Sequence, residues 1–266
     1  MTGGRRPQAA PVRHRPWPLC RHCRGIALDM GSARTRVVIV GRGVVVDAPT
    51  VTFPGADAVH PIQRGTIIDT PGCARMLRRL LEDRLPRLVR PVVIVTAPVL
   101  DGLAYRAQAR VAVEVLRPRA VLTVPSARGI ALASGADLTR PLLVVDVGAH
   151  LTEVVLLSDG AVTDARRTAL GTSDLDDTTT TGDIAGAVAR MLTVMLHQDH
   201  TSLTADALRR DILLAGGGAL RPDIRHRLSA LLPARLHTVP APHTAAVRGA
   251  ATLLRAAHIH PTATGS

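Results

Sequence analysis

The chain has 266 residues, 46% of them hydrophobic, enough to bury one sizeable core or two modest lobes. No apolar run approaches the roughly 20 residues of a bilayer span, and the basic N-terminus lacks the apolar core of a signal peptide. The formal charge of +12 hints at nucleic acid, yet every basic residue is Arg and aromatics are 1% of the chain, so base-stacking platforms are absent. No nucleic-acid partner is expected, and the location expected is cytoplasmic. Residues 1–24 carry half of the charge excess (Arg5, Arg6, Arg13, Arg15, Arg21 and Arg24) and are broken by Pro7, Pro11, Pro16 and Pro18, so they read as a disordered tail. Within the tail, Cys20-x-x-Cys23 with His14 and His22 has the look of half a zinc site. With Cys73 the only other cysteine, no second pair closes it and no disulfide framework exists.

From Gly25 the pattern becomes regular. Two or three strands run to Val51, then a linker, then a helix over Pro71–Leu85 with Met76, Leu77, Leu80 and Leu81 on one face. A buried strand follows at Val92–Thr96, a helix from Leu100 to about Leu116, a strand at Ala120–Val124 and a connecting helix at Ser126–Gly135. The scheme then repeats. Strands are expected at Leu142–Val147, Thr152–Leu157 and Ala161–Arg167. A helix starting near Gly182-Asp183 follows, with Ile184, Val188, Met191, Leu192 and Met195 at helical spacing. The strand Ile212–Ala215 comes next, and a helix from Pro222. The expected organisation is a first lobe over 25–135, a second over 136–255 and a polar tail from 256 to 266.

Each lobe opens with the same motif. Gly25–Val40 and Pro141–Leu156 are both an apolar run, then Asp-x-Gly, then a second apolar run, which reads as a hairpin with an acid near its tip. Two such hairpins can grip one phosphate chain. Gly31 and Gly148 let backbone approach phosphate without a Cβ in the way, and Ser32 and Thr35 are candidate hydroxyl donors. Asp29 and Asp146 suit a different partner, the waters of a Mg²⁺ that neutralises the phosphates. Gly216-Gly217-Gly218, between a strand and a helix, allows backbone to pass against a purine, a ribose or a phosphate. Gly249 and Ala250 permit a close approach near the first hairpin, for which helix packing is an equal explanation.

Five segments in order resemble the actin-like ATPase superfamily, and within it the bacterial rod-shape-determining MreB family. They are Ala27–Thr35, Leu143–Leu156, Ile212–Ile224, the connecting helix in Val124–Gly135 and the closing helix in Pro242–Leu254. Gly41–Val51 and Pro61–Asp69 are similar to linking stretches of the same family. The resemblance implies the duplicated α/β ribonuclease-H-like fold shared by actin, heat-shock chaperones and sugar kinases, with a nucleotide cleft between two lobes. It also implies ATP or ADP with Mg²⁺ as cofactors, a role in cell shape or wall synthesis, and association with itself, with MreB-like filaments or with wall machinery.

Three departures temper this. The glycine-rich run of the second hairpin is here Ala149-His150-Leu151, and the glutamate that orients the attacking water in the family is here Val124. An isopropyl group neither positions water nor stabilises charge, so slow or absent hydrolysis is expected, unless Asp69, Glu153 or Asp174 compensates. The upper subdomains that cover the cleft and make filament contacts are trimmed, in the first lobe to Thr52–His60 and in the second to what fits between Glu153 and Gly216, one strand, a Thr-rich loop at Thr178–Thr181 and about two helices, so filament formation is in doubt. The alternatives are an active ATPase or small-metabolite kinase, for which Asp101 lies in the relevant region, and a pseudo-actin scaffold whose Arg-rich tail meets an acidic partner or a membrane surface.

Overall fold

A computed structural model describes residues 24–53, 58–85, 90–100 and 102–259. The readings made on the tail, on Cys20 and Cys23 and on Asp101 therefore fall outside the described residues. Two five-stranded sheets carry the fold. In the first, β1 (Gly25–Met30), β2 (Arg34–Ile39) and β3 (Gly43–Pro49) form an antiparallel meander, and β6 (Val92–Ala97) and β7 (Ala120–Pro125) add in parallel beside β1, giving the order β3-β2-β1-β6-β7. The second repeats that order one for one as β10-β9-β8-β11-β12. Here β8 is Leu142–Val147, β9 Thr152–Ser158, β10 Ala161–Thr168, β11 Ile212–Ala215 and β12 Leu236–Thr238. A two-stranded ribbon, β4 (Ile62–Gln63) with β5 (Thr66–Ile67), stands in the linker after the first meander.

Each sheet is covered on both faces, which is why its central strands read as continuous apolar runs. On the outer face of the first sheet, Ile26, Leu28, Val37, Val93 and Val95 pack with α1 (Thr70–Leu81) and α2 (Gly102–Val113). On the outer face of the second, Leu143, Val145, Val154 and Leu214 pack with α4 (Thr181–Gln198) and α6 (Pro222–Leu231). Local signals fix the helix starts. Asp69 accepts the Gly72 N–H at 2.8 Å to cap α1, and Asp183 reaches back 2.7 Å to the Thr180 N–H at the head of α4.

The inner faces are covered crosswise. Helix α3 (Ser126–Ala133) follows the first sheet but packs Ala127, Ile130 and Ala131 on Leu142, Val144 and Val155 of the second. Helix α7 (Ala245–Ile259) follows the second sheet but packs Val247, Ala250 and Leu254 on Ala27, Val38 and Ile94 of the first. The two helices touch backbone to backbone. A Cβ on Gly249 would stand 1.7 Å from the Gly129 carbonyl oxygen, and one on Gly129 would stand 2.5 Å from that of Ala246. Gly249 is thus a packing residue of the crossing.

Sequence and structure differ in a few elements. α1 ends at Leu81 rather than Leu85, the β4–β5 ribbon and β12 are additional, and a short helix α5 spans Leu203–Leu208. Residues 256–259, expected to open a polar tail, instead belong to α7, which runs to Ile259 and buries His258.

Candidate functional site

Strand alternation decides what faces the cleft. On β1, Asp29 follows Ala27 on the inner face, and on β8, Asp146 follows Leu142 and Val144 on the inner face. Both acids lie at the carboxyl ends of their strands, where open α/β sheets bind ligands. They line one cleft of about 280 Å³ between the lobes, near the lower end of the roughly 300–1,000 Å³ range of small-molecule sites. Gly31, Ser32, Gly148, Gly216 and Gly217 line it too.

Each acid belongs to a row that crosses its sheet. In the first lobe the row reads Thr96, Asp29, Arg36, Asp47 across β6, β1, β2 and β3. Thr96 Oγ1 donates to Asp29 Oδ1 at 2.7 Å, and an Arg36 Nη lies 3.9 Å from Asp29 Oδ2. Burial raises the Asp29 carboxyl above its ordinary range, while Arg36 and the Thr96 hydroxyl pull it back. In the second lobe the row reads Ala215, Asp146, Glu153, Arg167 across β11, β8, β9 and β10. Here the acid stands opposite another acid. Burial, then Glu153, then Asp29 push Asp146 up to about 7. Burial likewise lifts Glu153 to about 7, against the backbone N–H groups of Val99 and Leu100. The Val99 bond is 3.0 Å long and joins the second lobe to the loop after β6 of the first. Near neutral pH both carboxyls therefore lie close to their titration points.

The hairpin tips are built alike. Gly31 N–H donates to the Arg34 carbonyl at 3.0 Å, and Gly148 N–H to that of Leu151 at 2.9 Å. These two amides therefore close their own turns rather than offer themselves to phosphate. At the tip of the second hairpin, Thr172 and Ser173 N–H donate to the Gly148 and Ala149 carbonyls, and His150 Nδ1 pairs with Asp174 Oδ1 at 3.2 Å. Asp174 also takes Arg64 of the β4–β5 turn at 2.8 Å, an ion pair across the cleft mouth. Burial at Asp174 is outweighed by His150, the Gly171 N–H and Arg64, which leave its carboxyl below the usual range.

The three consecutive glycines separate into different jobs. Gly216 has φ +84°, and a Cβ there would meet the Val147 carbonyl oxygen at 2.2 Å and Asp146 Oδ1 at 2.4 Å. Gly218 is buried, with a Cβ position 2.3 Å from Val147 Cγ1. At Gly217 a Cβ would meet nothing within 4 Å, so this is the glycine with open space beside it.

Thr35 is a correction. It shares the outer face with Val37, is fully buried, and its hydroxyl bonds Thr50 Oγ1 at 2.9 Å beside Met76. Val124 pairs with Thr96 in register but is buried in the apolar cluster under α7 with Ile94 and Val247. Of the acids considered as substitutes for a glutamate there, Asp69 is a helix cap, Asp174 sits in the mouth pairs, and Glu153 lines the cleft. Sequence reasoning passed over Arg36, Thr96 and His243, all cleft-lining. Counting alternate residues along β1, β2 and β6 would have found the first two.

The cleft's donor set suits the phosphates of a nucleotide. Arg36 Nε and His243 Nδ1 are buried in the cleft wall without hydrogen-bond partners, a vacancy that phosphate oxygens suit. Among the described residues no three His, Cys, Asp or Glu side chains converge on one point, so a Mg²⁺ beside Asp29 and Asp146 would keep water and phosphate oxygens as most of its ligands. No described helix is long and apolar enough to cross a membrane.

A duplicated sheet order, crossed inner helices and an acid-lined cleft between the lobes define the actin-like class of fold. The MreB/Mbl protein family model matches residues 52–182, which include the second hairpin. Spiroplasma citri MreB5 bound to ADP superposes with a TM-score of 0.74 at 16% identity, covering 89% of this chain and 97% of that one. The same protein bound to AMPPNP gives 0.72 at 17% identity, covering 85% and 94%. The ethanolamine utilization protein EutJ from Carboxydothermus hydrogenoformans gives 0.61 at 17% identity, covering 90% and 91%. The chain has the actin-like fold of MreB5, and its residues 52–182 are similar to the MreB/Mbl protein family.

Proposed function

We propose that this protein binds ATP or ADP in the interlobe cleft, with Mg²⁺ held through water by Asp29 and Asp146, and that it hydrolyses ATP slowly or not at all. The observation that carries the reading is the convergence of both acid-bearing hairpin tips and the open backbone of Gly217 on one cleft of about 280 Å³. MreB5 crystallised with ADP and with AMPPNP supports it by analogy of fold. Ser32 and backbone beyond the glycines would face the phosphates, and Gly216–Gly217 the nucleoside. Weak hydrolysis follows from the apolar side chain at Val124. The family match supports a role in cell shape or wall synthesis, with itself, MreB-like filaments or wall machinery as partners.

Calorimetry with Mg·ATP on the wild type, Asp29→Ala and Asp146→Ala, with phosphate release followed on the same samples, tests this. Binding by the wild type, at least about tenfold weaker in each variant, with negligible release, is the expected result. Absence of binding by the wild type sinks the nucleotide reading, and rapid phosphate release sinks the slow-hydrolysis part alone. A cell of normal width and wall after depletion would remove the morphogenetic role.

A further inference from the structure

Arg36 is the central charge of the first lobe's row, opposite Asp29 on one side and Asp47 on the other. Its side chain is only 14% exposed and lines the cleft. Yet it is held loosely. The nearest Asp29 oxygen is 3.9 Å away, Asp47 Oδ2 is 3.3 Å from Nε, and that Nε makes no hydrogen bond of acceptable geometry. A guanidinium has five donors in a flat fork, and burying one without an acceptor is costly.

Each acid has a nearer partner besides Arg36. Asp29 has the Thr96 hydroxyl at 2.7 Å. Asp47 has Arg34, whose Nε donates to Oδ1 at 2.5 Å and whose Nη2 donates to the Asp47 carbonyl at 2.7 Å. Arg36 can therefore turn toward a ligand while both carboxylates stay partnered. The charge of Arg36 reaches His243, whose buried Nδ1 also lacks a partner and lies on the same cleft wall. An anion with several acceptor oxygens satisfies both groups at once, and a phosphate chain matches the arginine fork two oxygens at a time.

We propose that Arg36 binds the phosphate chain of a nucleotide in this cleft directly, so that a nucleoside diphosphate is held there without a divalent cation. The inference rests on the nucleotide reading above and adds to it a residue and a metal independence that the two hairpin acids do not supply. His243 assists from the 3₁₀ turn Pro242–Thr244 just before α7.

The test is ADP calorimetry on wild type, Arg36→Gln and Arg36→Lys, each in magnesium and in EDTA, with melting of the nucleotide-free proteins as the fold control. The wild type is expected to bind in EDTA within about tenfold of its affinity in magnesium. Arg36→Gln is expected to lose about 10- to 100-fold in EDTA and less in magnesium, with Arg36→Lys recovering part of the loss. Wild-type binding that vanishes in EDTA overturns the proposal and leaves the nucleotide reading standing. So does Arg36→Gln binding like wild type in both conditions. An equal loss in both conditions with a lowered melting temperature marks a structural arginine, and also overturns it. No wild-type binding even with magnesium removes the parent reading and this one together.

Discussion

The two charged rows occupy the same positions of a duplicated scaffold and carry their charges in a different order. In the first lobe an arginine separates two acids, Asp29–Arg36–Asp47, and a threonine hydroxyl serves the cleft acid from the other side. In the second, two acids stand together with the arginine at the edge, Asp146–Glu153–Arg167, and the neighbour on the other side is Ala215. The two rows have the same formal charge, but the first places its cation between the acids, where Arg36 lines the cleft. The second concentrates negative charge and turns outward to the other lobe, with Glu153 accepting the Val99 N–H and Arg167 donating to the Leu100 carbonyl at 3.3 Å. Duplicated backbone thus fixes where a row runs, while single substitutions along it decide whether it meets an anion, stores a proton or ties the lobes.

The largest expected effect comes from breaking the frame that holds both rows in place. Gly249→Val puts a branched side chain where even a Cβ would be 1.7 Å from the Gly129 carbonyl. Loss of the cooperative melt is expected, a cost of about 4 kcal/mol or more. A normal melt would show that α3 and α7 can separate.

Next comes a pH test that sharpens the contrast between the rows. Below about pH 4, Asp146 and Glu153 are protonated whether the chain is folded or not, and they add no pH dependence. As pH rises through the ordinary carboxylate range toward 7, the folded protein keeps protons that the unfolded chain gives up, because burial lifts both groups to about 7, with the charges of Glu153 and Asp29 adding to the rise at Asp146. The nucleotide-free protein should therefore lose stability between about pH 4 and 7, on the order of a few kcal/mol, and level off above. Glu153→Gln keeps an acceptor for Val99 and removes the like charge, so its pH profile by thermal melting should be flatter. An unchanged slope would mean that Glu153 neither titrates in this range nor raises Asp146.

Smaller effects are expected at the cleft mouth and floor. Arg64→Ala removes the exposed partner of Asp174, and melting should detect about 0.2–1 kcal/mol at low salt and less at high salt. Gly217→Ala has space for its methyl group, so stability should hold within about 0.5 kcal/mol. ADP affinity should still fall by calorimetry, since the methyl fills space the ligand needs; unchanged affinity would make Gly217 an ordinary turn residue.

Much of this was legible in the chain itself. Apolar runs of the right length gave the strands, helical spacing gave α1 and α4, and the repeated Asp-x-Gly between apolar runs gave both hairpins and their acids. The short pieces were not legible: the β4–β5 ribbon has two residues per strand and β12 has three, too few for any period to show. Thr35 was misplaced because it was judged by its hydroxyl rather than by its parity with Val37, which sends it to the outer face. Gly216, Gly217 and Gly218 look identical in sequence, and only their neighbours tell them apart.

The sequence by itself determined the longer elements, their repetition and the two acids at strand ends, because strand and helix periodicities and glycine turns are local properties of a few successive residues. Tertiary structure alone decided that α3 covers the second sheet and α7 the first, that Glu153 lies beside Asp146, and that Arg36 lies beside Asp29. Those facts depend on register between strands and on which lobe a helix crosses to. Burial then lifted two ordinary carboxyls toward neutral pH, and placed an arginine with an unmet donor inside the cleft.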